Sequence, residues 1–365
     1  MISCLIIALI LVNVFMIIRR ENNKVIALVS LICIWMIMGL NTYTDDYPGY
    51  MRLYDSQTIG LTMEPGFTLL TDISYRLGLS YAQFLAIFMV GALIIGAVAV
   101  MKVTNNYHVV ICAFSLTALY LNVDEIRQFM AYILYALALA FLTDEKRGKL
   151  KYGITICLAS TIQISSIVLL PFPFIFSVFK DHAKVIKRYL IVIALFCVVV
   201  FLNGNRIPFL YELASLILPE DKLVYFTTHT NWGFLVFFLA NILNMMVAYY
   251  GVNEVEKHAL FYSEKERQYA SNLFKSIAYL SFAMPLCMTN SEFLRFFRFS
   301  VIPCIIMIAI TFNRPNNIAV DTKKKEKMVF KRTEFVLLLY ILVYQLCMQH
   351  WRIVQQVLEN NMLNN

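Results

Sequence analysis

The sequence predicts an all-α, polytopic helical membrane protein of about 12 spans, with residues 1–365 forming one integral membrane domain. Three observations predict it. First, 60% of the residues are hydrophobic and 15% are charged, at a mean hydropathy of +0.68, where soluble chains run near 45–50% and 25%. Second, the apolar residues come in recurring blocks, most of them long enough or nearly so to cross hydrocarbon as helices. Third, the basic residues alternate by side, with 23 Lys and Arg on one set of inter-block segments and 8 on the other, while the acids divide 11 to 12. A bias in basic residues without one in acids is the signature of membrane orientation.

The blocks lie at about 2–18, 25–40, 84–101, 108–122, 126–142, 152–162, 164–178, 189–203, 233–252, 273–289, 296–312 and 335–350. The first, ISCLIIALILVNVFMII, is followed rather than preceded by Arg19 and Arg20. That order is the reverse of a secretory signal and reads as a retained span. The sixth and seventh lie between two basic clusters, Lys146 to Lys151 and Lys180 to Arg188. Both clusters belong on the cytoplasmic side, so the stretch between them has to go out and return. A hairpin of two short helices turning near Ile162 to Ser165 does this, and its irregular backbone must be buried or line a wet cavity. The eight cysteines all fall in apolar blocks and form no Cys-x-x-Cys, which fits small buried hydrophobes better than disulfides or zinc.

The alternation puts both termini outside, makes 41–83 and 204–232 extracytoplasmic loops, and makes 313–334 a basic cytoplasmic loop. The net charge of +8 therefore reports topology at an anionic leaflet and not nucleic-acid binding. The chain has no P-loop, no Gly-x-Gly-x-x-Gly and no His-Glu-x-x-His, so ATP-driven transport and zinc proteolysis lose their usual sequence support.

Four stretches expected outside carry the unusual residues. In 41–84, Asp45 and Asp46 open a run with Tyr47, Tyr50 and Tyr54, followed by Glu64-Pro65-Gly66-Phe67. Phe67, Leu70, Ile73, Leu77 and Tyr81 then recur at helical spacing and predict one amphipathic interfacial or re-entrant segment. Aromatic rings beside carboxylates suit sugars; an aromatic belt with solvated acids has the same composition. LNVDEIRQFMAYILYALALAFL (121–142) puts Arg127 and Gln128 at the mouth of a span, where a lone arginine ordinarily snorkels. ASTIQISSIVLL (159–170) puts Gln163, Ser165 and Ser166 at the hairpin turn, where polar groups commonly join helices. In NSEFLRFFRFSVIP (290–303), Arg295 and Arg298 are three apart and share a helix face. Guanidinium groups so clustered suit a phosphate or pyrophosphate.

In this order the four stretches resemble the EpsG family of polysaccharide-biosynthesis membrane proteins, which are Wzy-like polymerases. The resemblance rests on Asp46-Tyr47-x-x-Tyr50, on Glu64 to Phe67, on Ile126-Arg127-Gln128-Phe129-Met130-Ala131, and on the Arg295 and Arg298 pair. It covers about residues 40–310. One departure stands out: the family's His-x-Ser-type element reads Gln163-Ile164-Ser165-Ser166 here. Glutamine cannot act as a base at neutral pH, although it can position a hydroxyl or a phosphate.

The resemblance implies a glycosyltransferase-like membrane fold in the bacterial inner membrane. It implies a polymerase that joins undecaprenyl-pyrophosphate-linked oligosaccharide repeat units on the outer face, for capsule, exopolysaccharide or O-antigen. On that expectation Arg127, Arg295 and Arg298 hold the pyrophosphate, and Asp46 or Glu64 takes the acceptor's proton. Tyr47, Tyr50 and Tyr54 contact sugars, and Gln128, Gln163 and Ser165 orient substrate. The arginines stand in for a divalent cation, so neither metal nor cofactor is expected. A flippase and a chain-length regulator are the expected partners. A lipid-linked oligosaccharide flippase or other transporter is the rival, but it would place its charges nearer mid-bilayer and show discontinuous helices in matched halves. A glycan acyltransferase would want a membrane histidine, and only His229 and His350 fall outside.

Overall fold

The computed structural model describes residues 2–42, 44–61, 63–175, 182–216, 223–227, 230, 232–312 and 340. The basic loop 313–334, His229, His350, part of the 204–232 loop and all but Tyr340 of the span at 335–350 lie outside them. The described residues are all-helical.

Helices α1 (Ile2–Arg19) and α2 (Lys24–Gly39) form a hairpin, with Asn23 capping α2 by accepting from the Val25 and Ile26 amides. Next come α3 (Tyr47–Asp55), a 3₁₀ turn at Ile59–Leu61 and α4 (Pro65–Arg76). A Ser80–Gln83 capping box then starts α5 (Tyr81–Met101). The block at 108–122 breaks at Ala118 into α6 (Tyr107–Thr117) and α7 (Leu119–Asp124), and a second break at Glu125 leads into α8 (Ile126–Phe141). The hairpin is α9 (Gly148–Ile162), extended Gln163, a 3₁₀ segment at Ile164–Leu169 and α10 (Phe172–Ile175). Its return limb runs back along α9, where Tyr152 donates to the Leu169 carbonyl at 2.8 Å. The rest comprises α11 (His182–Leu202), α12 (Leu210–Ser215), α13 (Phe234–Lys257), α14 (Glu264–Leu280), α15 (Ala283–Thr289), a 3₁₀ turn at Ser291–Leu294, α16 (Arg295–Arg298) and α17 (Val301–Thr311).

Five stretches are long and apolar enough to cross a membrane: Ile2–Arg19, Tyr81–Met101, Val185–Leu202, Phe234–Lys257 and Ser291–Thr311. The other apolar helices are shorter. Helix α8 has 16 residues and runs about 24 Å, against about 30 Å of hydrocarbon. Packing explains how so short a helix is accommodated, because 13 of its 16 residues are buried in protein. At the centre stands α17, with every residue buried, packed against α6, α8, α13 and α14. The apolar faces of α1, α2, α5 and α11 are exposed instead, the inverse of a soluble bundle. Polar side chains join helices inside: Asn13 of α1 donates to Ser30 of α2 at 2.9 Å and lies 2.7 Å from Nδ1 of His108 on α6.

Two expectations need correction. The amphipathic segment from Phe67 to Tyr81 is not one continuous helix. It is split by Gly78 at φ 73°, and Tyr81 belongs to α5. On α4 the buried residues are Phe67, Thr71 and Ser74, whereas Leu70, Ile73 and Leu77 are exposed. In a membrane protein the leucines suit lipid and the small residues suit close packing. The span at 273–289 starts earlier as well: a Ser263–Glu266 capping box begins α14 at Glu264.

The two ends of the bundle separate cleanly. At one end Asp144 binds Lys102 at 3.1 Å and Lys151 at 2.6 Å, and Asn106 accepts from Asn22 while donating to the Ala309 carbonyl. Residues 44–46, 64, 124–128, 164 and 292–298 gather at the other end. Arg127 and Phe141, on the same helix, are about 21 Å apart.

The Glu-Pro-Gly-Phe element has a full local explanation. Pro65 occupies the first helical turn, which needs no donor. Phe67 is fully buried against Tyr50, Phe84 and Phe88. Gly66 lets α4 lie on α9: a Cβ there would sit 2.7 Å from the Thr161 Cβ and 2.9 Å from its carbonyl oxygen. Gly66→Ala should therefore force the two helices apart and cost about 1–3 kcal/mol. It should appear as a lowered thermal midpoint of the detergent-purified protein; an unchanged midpoint would rule out the close approach.

Candidate functional site

The α7–α8 junction builds the site. Glu125 sits between the two helices at φ −87°, ψ 59°, so the segment 124–128 projects its side chains in several directions rather than along one helix face. Arg127 reaches α3 and α4. Its Nη1 pairs with Glu64 Oε2, its Nε donates to the Tyr50 hydroxyl at 2.7 Å, and its guanidinium lies 5.4 Å and 5.6 Å from the Tyr50 and Phe67 ring centres. The second oxygen of Glu64 accepts the Ile164 amide at 3.0 Å. One carboxylate thus ties the start of α4 to α8 and to the hairpin turn after Gln163.

Glu125 and Gln128 reach the other way, to the segment before α17. Arg298 Nη1 donates to Glu125 Oε1 at 2.5 Å. The Gln128 amide satisfies its surroundings when its nitrogen donates to Glu125 Oε2 and the Tyr132 hydroxyl, both at 2.8 Å, and its oxygen accepts from Arg295 Nε at 3.3 Å. Arg295 also pairs with Glu292. Arg295 and Arg298 therefore do share a face, the one turned toward 125–128.

Asp46 stands beside these pairs. Its amide donates to Asp124 Oδ1 at 3.1 Å. Its carboxylate takes no hydrogen bond from the described residues and is open at the surface, yet surrounding protein pushes its pKa up to about 6. Desolvation is the main cause, the charges of Asp124 and Glu125 add to it, and Arg127 opposes them. Asp124 is shifted upward too, chiefly by desolvation. At the hairpin turn, Gln163 Oε1, Ser165 Oγ and Ser166 Oγ are enclosed without a hydrogen-bond partner among the described residues.

Of the residues singled out by sequence, Asp46, Tyr50, Glu64, Arg127, Gln128, Arg295 and Arg298 come together, and Gln163 joins through its neighbour's amide. Tyr47 and Tyr54 are buried in the aromatic packing beside Tyr50. Tyr47 packs on Tyr81 with ring centres 5.0 Å apart, and Tyr54 lies against Phe84 while its hydroxyl donates to the Leu79 carbonyl. Ser165 shares the turn, and its hydroxyl makes no hydrogen bond with the described residues. Asp124, Glu125 and Glu292 were missed. The first two are legible only as adjacent acids at a span's mouth, and pairing Glu125 with Arg298, 173 positions away, takes the fold. The consequence is substantial: each of the three arginines carries a carboxylate partner, so the site is an interleaved charge network and not a bare guanidinium cluster.

A helical bundle that exposes apolar faces and keeps a paired charge network at one end defines a polytopic membrane protein with a polar site at one margin. The chain belongs to the EpsG family, whose model matches residues 24–362. Membership agrees with an exopolysaccharide-related membrane protein. Among curated proteins and among solved structures nothing matches.

The Glu64–Arg127 pair is largely shielded, at 16% and 17% side-chain exposure. Breaking such a pair strands a charge and costs about 3–5 kcal/mol, while replacing both partners by apolar groups costs little. Glu64→Ala should therefore destabilise strongly, and Glu64→Leu with Arg127→Met should recover most of the loss in a chemical-denaturation series. If the single and double changes are simply additive, the pair does not couple.

Proposed function

We propose that this chain is a metal-independent membrane glycosyltransferase, a polysaccharide polymerase. Its substrates are oligosaccharide repeat units on undecaprenyl pyrophosphate at the outer face of the bacterial inner membrane. The observation that carries this reading is convergence. Four stretches far apart in sequence meet around 124–128, with Glu64 bridging Arg127 and the Gln163 turn. A dozen crossings with both termini outside belong to the same proposal, and so does the assignment of the site end to the outer face.

The chemistry fits the groups. An acceptor sugar hydroxyl attacks the anomeric carbon of the donor's first sugar. The bond from that carbon to the pyrophosphate oxygen breaks, and the lipid pyrophosphate leaves with the bonding electrons. Asp46 takes the hydroxyl's proton: it has no cationic partner in bonding distance, and its pKa of about 6 leaves it ionised but basic at neutral pH. Glu64 suits a different role, because Arg127 and the Ile164 amide occupy both its oxygens. It anchors the arginine. Arg127 keeps its Nη2 without a partner among the described residues, so it can donate to a phosphate oxygen while Nη1 and Nε stay tied. Arg295 and Arg298 complete the cradle as negative charge grows on the leaving group. The enclosed oxygens of Gln163 and Ser165 can orient a sugar hydroxyl, which needs no base at position 163. The flippase reading is weakened because the arginines gather at one end of the bundle and not halfway along it.

Two measurements test this. Deleting the gene should leave single lipid-linked repeat units at the outer leaflet and no polymer; repeat units held on the cytoplasmic leaflet would show a flippase instead. Arg127→Ala and Arg298→Ala, at equal protein level, should abolish polymer. Separately, kcat/KM for repeat-unit coupling should rise with pH up to about 6 and then level, because the carboxyl must ionise before it can accept a proton. Asp46→Asn should lose about 10²–10⁴-fold and lack that rising limb. A rising limb that survives in Asp46→Asn would remove this residue from the base role.

A further inference from the structure

A polar cavity lies outside the charged network. It occupies about 180 Å³ between the C-terminal halves of α3 and α4 and is lined by Tyr54, Gln57, Thr71, Asp72, Tyr75 and Arg76 together with Leu53 and Ile59. Asp72 lies eight residues beyond Glu64 on the same helix, about 12 Å along its axis. The cavity is smaller than a drug-sized site, which runs at about 300–1,000 Å³, and its size suits one ring-sized ligand.

We propose that this cavity is a glycan subsite that holds one sugar residue of the growing or incoming chain, a few residues from the bond being made. The lining has the chemistry of pyranose recognition. Tyr75 is a partly exposed ring, fixed edge-to-face against Tyr54 with centres 5.7 Å apart, and offers a flat apolar surface to sugar C–H groups. Gln57, Asp72 and Arg76 surround it with amide, carboxylate and guanidinium, and their side chains make no hydrogen bond or ion pair with other described residues. One acid and one base leave the lining without net formal charge, which suits a neutral polyhydroxylated ring; a phosphate would face the Asp72 carboxylate.

Gln57 also stands where a glycine would be easier. The Thr58 amide donates to Leu53 O and the Gln57 amide to Tyr54 O, which closes α3 with a left-handed residue at position 57, φ 56°. The side chain at this left-handed position lines the cavity.

The nature of the glycan rests on the polymerase reading, and the test separates the two. The detergent-solubilised full chain would be titrated with lipid-free oligosaccharide of one to three repeat units, cut from the cell's own polysaccharide, with binding followed by saturation-transfer NMR. Gln57→Gly, which relieves the turn, and Tyr75→Ala should each weaken binding at least tenfold. In cells both should shorten the polymer without abolishing it. Wild-type affinity in Gln57→Gly and Tyr75→Ala, or no binding by the wild-type chain, would overturn the subsite. Tyr75-dependent binding in a chain whose deletion leaves the polymer unchanged would keep the subsite and discard the polymerase.

Discussion

The carboxylate of Glu64 is the joint on which the site end depends. It faces a guanidinium on one oxygen and a backbone amide on the other. Three separate elements, the start of α4, the start of α8 and the turn after α9, are thereby held against one another. A shielded carboxylate is tolerated only when its charge is matched and its lone pairs are filled. The requirement runs both ways, because Arg127 would be as costly alone. Gly66 and Phe67 follow from the same joint: one lets α4 come close enough to α9, and the other fills the space beneath the guanidinium.

The second half of the network repeats this logic through Glu125. Because the chain breaks between α7 and α8, two acids, an arginine and a glutamine occupy five consecutive positions yet serve partners on different sides. Arg298 and Arg295 dock on Glu125 and Gln128, and this fixes the segment that feeds α17, the buried central helix. The polar site and the apolar core are therefore coupled structurally. Pairing also sets the electrostatics: each of the three arginines is matched by a carboxylate, so the network accumulates no positive charge.

Much of this was legible in advance. Apolar blocks and the side bias of Lys and Arg mark the helices, because hydrocarbon admits few other backbones. The hairpin turn at Gln163 was expected from the basic clusters that flank the stretch, on the reading that such clusters lie on one side of a membrane. The elements around Asp46, Glu64, Arg127 and Arg295 stand out because charge at the edge of an apolar block needs a reason. The orientation of α4 was not legible. Helical spacing groups Phe67 with Leu70 and Ile73, but Phe67 is buried with Thr71 and Ser74 while Leu70 and Ile73 are exposed, and periodicity cannot tell what surroundings an apolar stripe meets. The roles of Tyr47 and Tyr54 were hidden for a related reason, since a tyrosine run suits sugar contact and aromatic packing alike.

The sequence by itself determined that this is an all-helical membrane protein and which stretches carry the charged residues, because those properties follow from local composition and spacing, and the ordered motifs around Asp46, Glu64, Arg127 and Arg295 carried the resemblance to the EpsG family. Only the tertiary structure decided which acid meets which arginine: Glu64 with Arg127, 63 positions apart, and Glu125 with Arg298, 173 apart. It alone separated the anchoring Glu64 from the open Asp46, two carboxylates that look equivalent along the chain. Pairing energy depends on distance and burial in three dimensions, and neither is encoded in the spacing of residues along a helix.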